Sequence, residues 1–140
     1  MTQLDIDEVL AANAELYTAV EEADFDRMAA LWVDGPSADS ALCVHPGWPP
    51  VLGRSAVLRS WAVIMANTTY IQFFLTDVRA EMAAEIAVVT CGESILTAVD
   101  DDLGGGQVVA TNVFRRTPQG WRLWIHHASP VLRAEDPDDG

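Results

Sequence analysis

The chain contains no lysine, and its basic charge is confined to 8 arginines against 21 acidic residues, a net charge of −13. Such a surface repels phosphate backbones and excludes nucleic acid as a partner. Cysteine is scarce as well. Cys43 and Cys91 lie far apart, each in an apolar stretch and with no Cys-x-x-Cys spacing, which excludes a disulfide scaffold and reads as two reduced, buried small hydrophobes. The histidines His45, His126 and His127 show no His-x-His or other ligand spacing, so no metal site is expected. No apolar run approaches the roughly 20 residues that a membrane span needs. The N-terminal MTQLDIDEVL has neither the basic nor the apolar region of a signal peptide, so the expected compartment is the cytoplasm.

What is present is a chain of 140 residues, 50% apolar, with no internal repeat, linker or low-complexity tract. That is one domain over 1–140, with a core of about residues 5–131 and an acidic tail over 132–140 carrying Glu135, Asp136, Asp138 and Asp139. The acidic run Asp100–Asp102 reads as a solvated turn. Ile6, Val9, Leu10, Leu16 and Val20 fall near a 3.6-residue period and predict a first helix, with capping-box spacing at Asp5 and Glu8. Asp24 is placed to cap a shorter second helix bearing Phe25, Met28, Leu31 and Trp32. Ala41 to His45 reads as a short strand running into Pro46-Gly47-Trp48-Pro49-Pro50, which regular structure cannot accommodate. Gly53 and Ser55 open a third helix with Val57, Leu58, Trp61, Ile64 and Met65 on its buried side. Beyond Asn67 the pattern turns to strands: 69–78, 86–99, 107–116 and 120–131. Three helices followed by a meander of long strands is an α+β pattern. A long antiparallel sheet with helices on one face coils around them and leaves an apolar cavity beneath.

Strand parity predicts which side chains enter that cavity. If Arg116 faces Trp121 across the turn Thr117-Pro118-Gln119-Gly120, strict alternation pairs Phe114 with Leu123, Asn112 with Ile125 and Ala110 with His127 on one side. Arg115 with Arg122, Val113 with Trp124 and Thr111 with His126 fall on the other. The first side holds the apolar set and is assigned to the cavity, taking Phe114, Asn112 and His127 with it. His126 goes to the outer face, as do Trp124 and Val113, a pair suited to a dimer interface. On the preceding strand Cys91, Glu93 and Ile95 share a face. A register with Glu93 beside Asn112 sends Glu93 inward, where an apolar cavity raises its pKa and suits it to acid–base work; a slip of one residue across Gly104–Gly106 sends it outward.

The stretches Asp24-Phe-Asp-Arg-Met-Ala-Ala-Leu-Trp32, Cys43-Val-His-Pro-Gly47, Gly53-Arg-Ser-Ala-Val57, Thr111-Asn-Val-Phe-Arg-Arg116, Gly120-Trp-Arg-Leu and His127-Ala-Ser129 occur in an order that resembles the nuclear-transport-factor-2-like superfamily, in its SnoaL-like and ketosteroid-isomerase-like branch. The resemblance spans about Leu10 to Val131. It implies a cone-shaped, cystatin-like α+β domain with three N-terminal helices on the concave face of the sheet, dimeric through the outer face. It also implies places for site residues. The isomerases' general base precedes a proline at the end of the first strand, where His45 stands here. Their acidic hydrogen-bond donor sits on the penultimate strand, where Asn112 stands. Their first-helix tyrosine corresponds to Tyr17, one residue off in its spacing to Asp24. The isomerases use an Asp base with a Tyr and a protonated Asp as oxyanion donors, so a His and an Asn at those places speak against steroid isomerisation.

The resemblance therefore implies one of two functions. The first is a cofactor-free lyase, isomerase or cyclase acting on a small apolar or amphipathic organic ligand. His45 would be the proton carrier, His127 or Glu93 the second acid–base group, Asn112 the group that holds a ligand oxygen, Tyr17 a further catalytic residue, and Trp32, Trp48, Trp61 and Phe114 the walls. The second is a non-catalytic binding or oligomerisation module. His45 is equally readable as a buried histidine bonded to backbone, His127 as a structural link to a helix, and the tryptophans as core mass.

Overall fold

A computed structural model describes residues 2–132; apart from Leu132, the acidic tail lies outside the described residues. Helix α1 (Gln3–Glu21) starts where the Thr2 hydroxyl accepts the Asp5 N–H at 3.1 Å, so the cap is Thr2 and not Asp5. Asp24 caps α2 (Phe25–Leu31) by accepting the Arg27 N–H at 3.0 Å, as its position predicts. A 3-10 turn over Gly35–Ser40 leads to β1 (Leu42–Val44), and the proline-rich stretch after it returns as the two-residue β2 (Val51–Leu52). Helix α3 (Arg54–Asn67) follows Gly53, whose φ of 91° favours glycine. The Arg54 guanidinium donates to the carbonyls of Ala29, Trp32 and Val33 at 2.8–3.1 Å, filling acceptors that the end of α2 leaves open.

Four long strands complete the chain: β3 (Tyr70–Ala83), β4 (Ile86–Val99), β5 (Asp102–Thr117) and β6 (Gly120–Pro130). The sheet order is β2-β1-β6-β5-β4-β3, antiparallel except where β1 lies parallel to β6. Two strands outrun their compositional signal. A bulge between Thr76 and Arg79, with Asp77 at φ 52°, lets the β3 ladder resume and continue to Ala83. The glycines 104–106 are not a loop but part of β5, paired with Thr97, Leu96 and Ile95. A β-carbon on Gly105 would lie 2.1 Å from the Ile95 carbonyl oxygen, and one on Gly92 would lie 2.5 Å from Thr76 Oγ1. The approach at Gly105 is to backbone and needs glycine, whereas the Thr76 hydroxyl can turn away from a side chain at position 92.

The decisive irregularity is in β6. Phe114 pairs with Leu123 and Val113 with Ile125, leaving Trp124 as an extra residue opposite the gap. Such a bulge reverses the alternation beyond it. His126 therefore faces Asn112 inside the sheet and is buried, whereas His127 faces Thr111 on the outer side and is exposed. The expectation of His127 inside and His126 outside is corrected on both counts. Val113 pairs with Ile125, so the expected Val113–Trp124 pair does not form. Trp124 instead donates through Nε1 to Ser40 Oγ at 2.9 Å and lies under the Arg115 guanidinium.

The core between helices and sheet includes Leu16, Met28, Trp32, Val57, Phe114 and Leu123. Trp32 and Phe114 are enclosed by it, which removes both from the expected set of cavity walls. Gly105→Ala should lower the urea midpoint by the equivalent of about 1–3 kcal/mol, the cost of a strained backbone site. Gly106→Ala, whose β-carbon would meet nothing within 4 Å, is the control and should change it far less.

Candidate active site

Beneath the open end of the cone, between α1, α3 and the sheet, is a cavity of about 220 Å³. Its walls are mostly apolar: Val20, Pro46, Trp48, Trp61, Ile64, Ile71, Phe73 and Ile95. Four polar side chains join them, Tyr17 from α1, His45 from the end of β1, Glu93 from β4 and His126 from β6. A larger groove of about 690 Å³ opens elsewhere, beside Arg54, Arg115 and Arg122. Its carboxylate, Asp34, is exposed, and its Arg54 is already engaged with three carbonyls.

Each polar residue of the cavity reaches it for a local reason. Tyr17 lies one helical turn beyond Asn13, so both project from the same side of α1, and both are buried. Glu93 shares the inward face of β4 with Ala87, Val89 and Cys91. It stands opposite Val108, while Val89 stands opposite Asn112. The expected inward face is right, and the expected neighbour is wrong. Contact between the two residues runs through Tyr17, which donates to Glu93 Oε2 at 2.6 Å and accepts from Asn112 Nδ2 at 3.2 Å. Phe73 packs edge-on against the Tyr17 ring at 5.0 Å.

His45 directly follows β1, and Pro46 stops the strand from continuing. Its ring meets Trp61 edge-on at 4.5 Å and Trp48 at 4.8 Å, and lies 6.4 Å from the ring of His126. Trp48 is 40% exposed and forms the rim, while Trp61 is buried. His45 Nε2 lies 2.8 Å from Ser60 Oγ, and Ser60 Oγ lies 2.6 Å from the Val57 carbonyl. The hydroxyl has one proton, and the short approach to a carbonyl requires it there. Ser60 therefore accepts from His45, which places the imidazole proton on Nε2 and leaves Nδ1 basic.

Asn112 does not meet the cavity. It is fully enclosed, donates to Asn13 Oδ1 at 2.8 Å as well as to Tyr17, and lies 2.5 Å through Oδ1 from His126 Nδ1. The expectation that it holds a ligand oxygen is thereby corrected, since its amide is spent within the protein. His45, Tyr17, Glu93, Trp48 and Trp61 converge as the sequence suggests. His127, Trp32, Phe114 and Asn112 do not line the cavity. Asn13, Ser60 and His126 complete the site and carry weaker signals in the sequence: a polar residue one turn before Tyr17, a polar residue beside Trp61, and a histidine placed by the bulge. Among the described residues, no group of His, Cys, Asp and Glu has the geometry to hold a metal ion, and no helix is long and apolar enough to cross a membrane.

Burial sets the charge state of every titratable group here. It lowers His45 to about 4 and His126 to about 3, the second also through repulsion from His45 and His127. It raises Glu93 above the ordinary carboxyl range, against a smaller opposing effect of the Tyr17 hydrogen bond. Burial also raises the Tyr17 hydroxyl and both thiols. Near neutral pH the two imidazoles are uncharged bases.

The family follows from comparison. A SnoaL-like domain model matches residues 9–133, and the chain belongs to that family, within the nuclear-transport-factor-2-like superfamily. A crystal structure of a candidate dehydratase of this superfamily from Streptomyces avermitilis is 54% identical, with a TM-score of 0.87 over 93% of this chain and 98% of that one. A candidate association domain of calcium/calmodulin-dependent protein kinase type II from Thiobacillus denitrificans is 31% identical, with a TM-score of 0.75 over 87% and 94% of the two chains. The F-box protein SKIP8 of Arabidopsis thaliana is 25% identical over 91% of this chain, which spans 51% of that protein's length.

The histidines give a signed pH dependence. Their folded pKa values lie below the ordinary 6.5, so as pH falls the unfolded chain takes up protons first. The stability of the neutral, buried forms is complete above 6.5 and is lost progressively on the way down to about 4 and 3. In urea titrations across that range, His126→Asn should flatten the acid limb by about 1.4 kcal/mol per pH unit, the contribution of one proton. An unchanged slope contradicts the assignment.

Proposed function

We propose that this protein is a cofactor-free acid–base catalyst, of the lyase or isomerase kind, for a small neutral organic molecule. The observation that carries this reading is the convergence of a buried carboxyl and two uncharged imidazoles on one small, otherwise apolar cavity. Glu93, with Tyr17 donating to Oε2, keeps its other oxygen for a ligand. In its protonated form it is the acid for a leaving hydroxyl. His45, its proton fixed on Nε2 by Ser60, has Nδ1 to receive a proton from carbon. Elimination of water uses such a pair: the base takes the proton next to a carbonyl, the electrons form the carbon–carbon double bond, and the acid protonates the departing hydroxyl. The 54% identical structure described as a candidate dehydratase supports this choice among proton-transfer reactions. The walls, Trp48, Trp61, Phe73 and Ile95, suit an apolar or amphipathic ligand.

A second reading, a non-catalytic association module, draws on the resemblance to the kinase association domain and on the sheet's outer face. There Phe74, Leu96 and Val109 are exposed, and a second copy of the chain is the proposed partner. The two readings are separable by assay. With 4-hydroxy-4-phenylbutan-2-one as probe, dehydration gives a conjugated enone visible in the ultraviolet. Glu93→Gln and His45→Gln should each slow it by about 10²–10⁴, the worth of a general acid or base, whereas exposed His127→Ala should not. Wild-type turnover no faster than buffer, or full activity in Glu93→Gln, sides with the second reading. For that one, Val109→Asp should shift the sedimenting species toward monomer.

A further inference from the structure

The role of Asn112 is not explained by packing alone. A fully enclosed amide could be replaced by an apolar residue of similar shape at little cost if all its partners were replaced too. Here it joins three elements. Its Nδ2 donates to Asn13 and Tyr17 on α1, which orients the amide and turns Oδ1 toward β6. Oδ1 is 2.5 Å from His126 Nδ1, and an amide oxygen accepts only, so the imidazole proton must be on Nδ1. Nε2 then carries the lone pair. It has no protein partner among the described residues, and His126 lines the cavity.

We propose that Asn112 is a positioning residue that locks His126 in its Nδ1–H tautomer, so that Nε2 is a fixed hydrogen-bond acceptor at the cavity wall and the site selects ligands bearing a hydroxyl or N–H donor there. The selection rests on the reading of the cavity as a small-molecule site; the tautomer lock stands or falls independently. The chemistry is directional. A donor on the ligand meets a bare nitrogen in an apolar surrounding, whereas an ether or a carboxylate at the same place meets a lone pair. The groups around His126 keep this sense. His45 and His127 oppose its protonation, Tyr17 turns its proton toward Glu93, and Trp61 packs beside the ring at 5.5 Å. Recognition on this wall therefore calls for a neutral ligand with a donor group. Glu93, on another wall, is free to meet an acceptor.

Two measurements test the two halves. Nitrogen-15 spectra of the histidines separate the tautomers directly. Wild-type protein should show His126 as Nδ1–H, and Asn112→Leu should release it to a mixture or to Nε2–H. Asn112→Asp guards against a leucine variant that fails to fold. Its carboxylate should keep Nδ1–H and move the His126 titration upward, which a filler of the same volume would not do. A wild-type His126 carrying its proton on Nε2, or a tautomer unchanged in folded Asn112→Leu, overturns the lock. Calorimetry with phenol and with anisole tests the selection, since only phenol can donate. Wild-type protein should prefer phenol by about tenfold, the worth of one hydrogen bond, and His126→Phe should erase the preference while still binding anisole. Equal affinity for the two probes, or no binding of either alongside an Nδ1–H tautomer, overturns the selection and leaves the lock in place. Binding with loss of the preference in His126→Phe, but no dehydration of the hydroxyketone, upholds the selection and removes only the catalytic reading.

Discussion

One extra residue in β6 determines what the cavity can do. Trp124 occupies a bulge between pairs that are otherwise in step, and every side chain after it changes face. Without it, Ile125 would fill the place opposite Asn112 and the exposed His127 would turn inward opposite Ala110. The amide on β5 would then be a buried polar group facing an aliphatic chain, an arrangement that is costly when no partner is available. With the bulge, His126 supplies that partner. The local disruption of the ladder is offset by the Trp124 bond to Ser40 and by its stacking under Arg115. A single irregularity thus satisfies Asn112, gives the cavity a second imidazole, and leaves the outer face its own arrangement.

The cavity sets a few titratable groups in apolar walls, and all of them are pushed toward neutrality. Its carboxyl is pushed toward the protonated form and its imidazoles toward the unprotonated form by the same cause, removal from water. Burying these groups as ions would cost far more than burying them neutral. The arrangement therefore works against charge in the cavity. In the proposed reaction an entering ligand would exchange water for fixed dipoles, and proton transfer between acid and base would create charge only once that reaction is under way. The hydrogen bonds of Tyr17, Ser60 and Asn112 fix directions that water would leave free. In that sense the buried residues behind the wall orient the groups in it.

Much of this was legible in the chain. Asp24, Gly53 and the proline-rich stretch after His45 mark element ends through ordinary capping and backbone rules, and the structure places them there. The change from helical to alternating periodicity after Asn67 gives the α+β layout. His45, Tyr17, Glu93 and Trp61 meet because each occupies the inward face of its own element. The bulge was not legible. Leu123, Trp124 and Ile125 are three apolar residues in succession, so parity has no polar marker to register a skipped step, and no glycine or proline announces it. The neighbouring histidines offer no help, being chemically identical. Trp32 and Phe114 read as cavity walls because large apolar side chains on the inward face serve core and wall alike; only depth separates them. Asn112, likewise, is polar and inward by sequence, and what it bonds to depends on Asn13 and Tyr17 across the fold, which no local pattern reveals.

The bend in β3 has an effect beyond shaping the cone. This strand forms one border of the sheet and runs for 14 residues, long enough to recruit a stray strand from another molecule. Two features work against that. The irregularity between Thr76 and Arg79 twists the border so that no straight partner can follow it along its length. The Glu21 carboxylate reaches across from α1 to occupy the Phe73 N–H at 2.9 Å, so a donor on that border is already engaged, and by a negative charge. The curvature that opens a chamber on one side therefore also makes the border strand a poor template for a further strand.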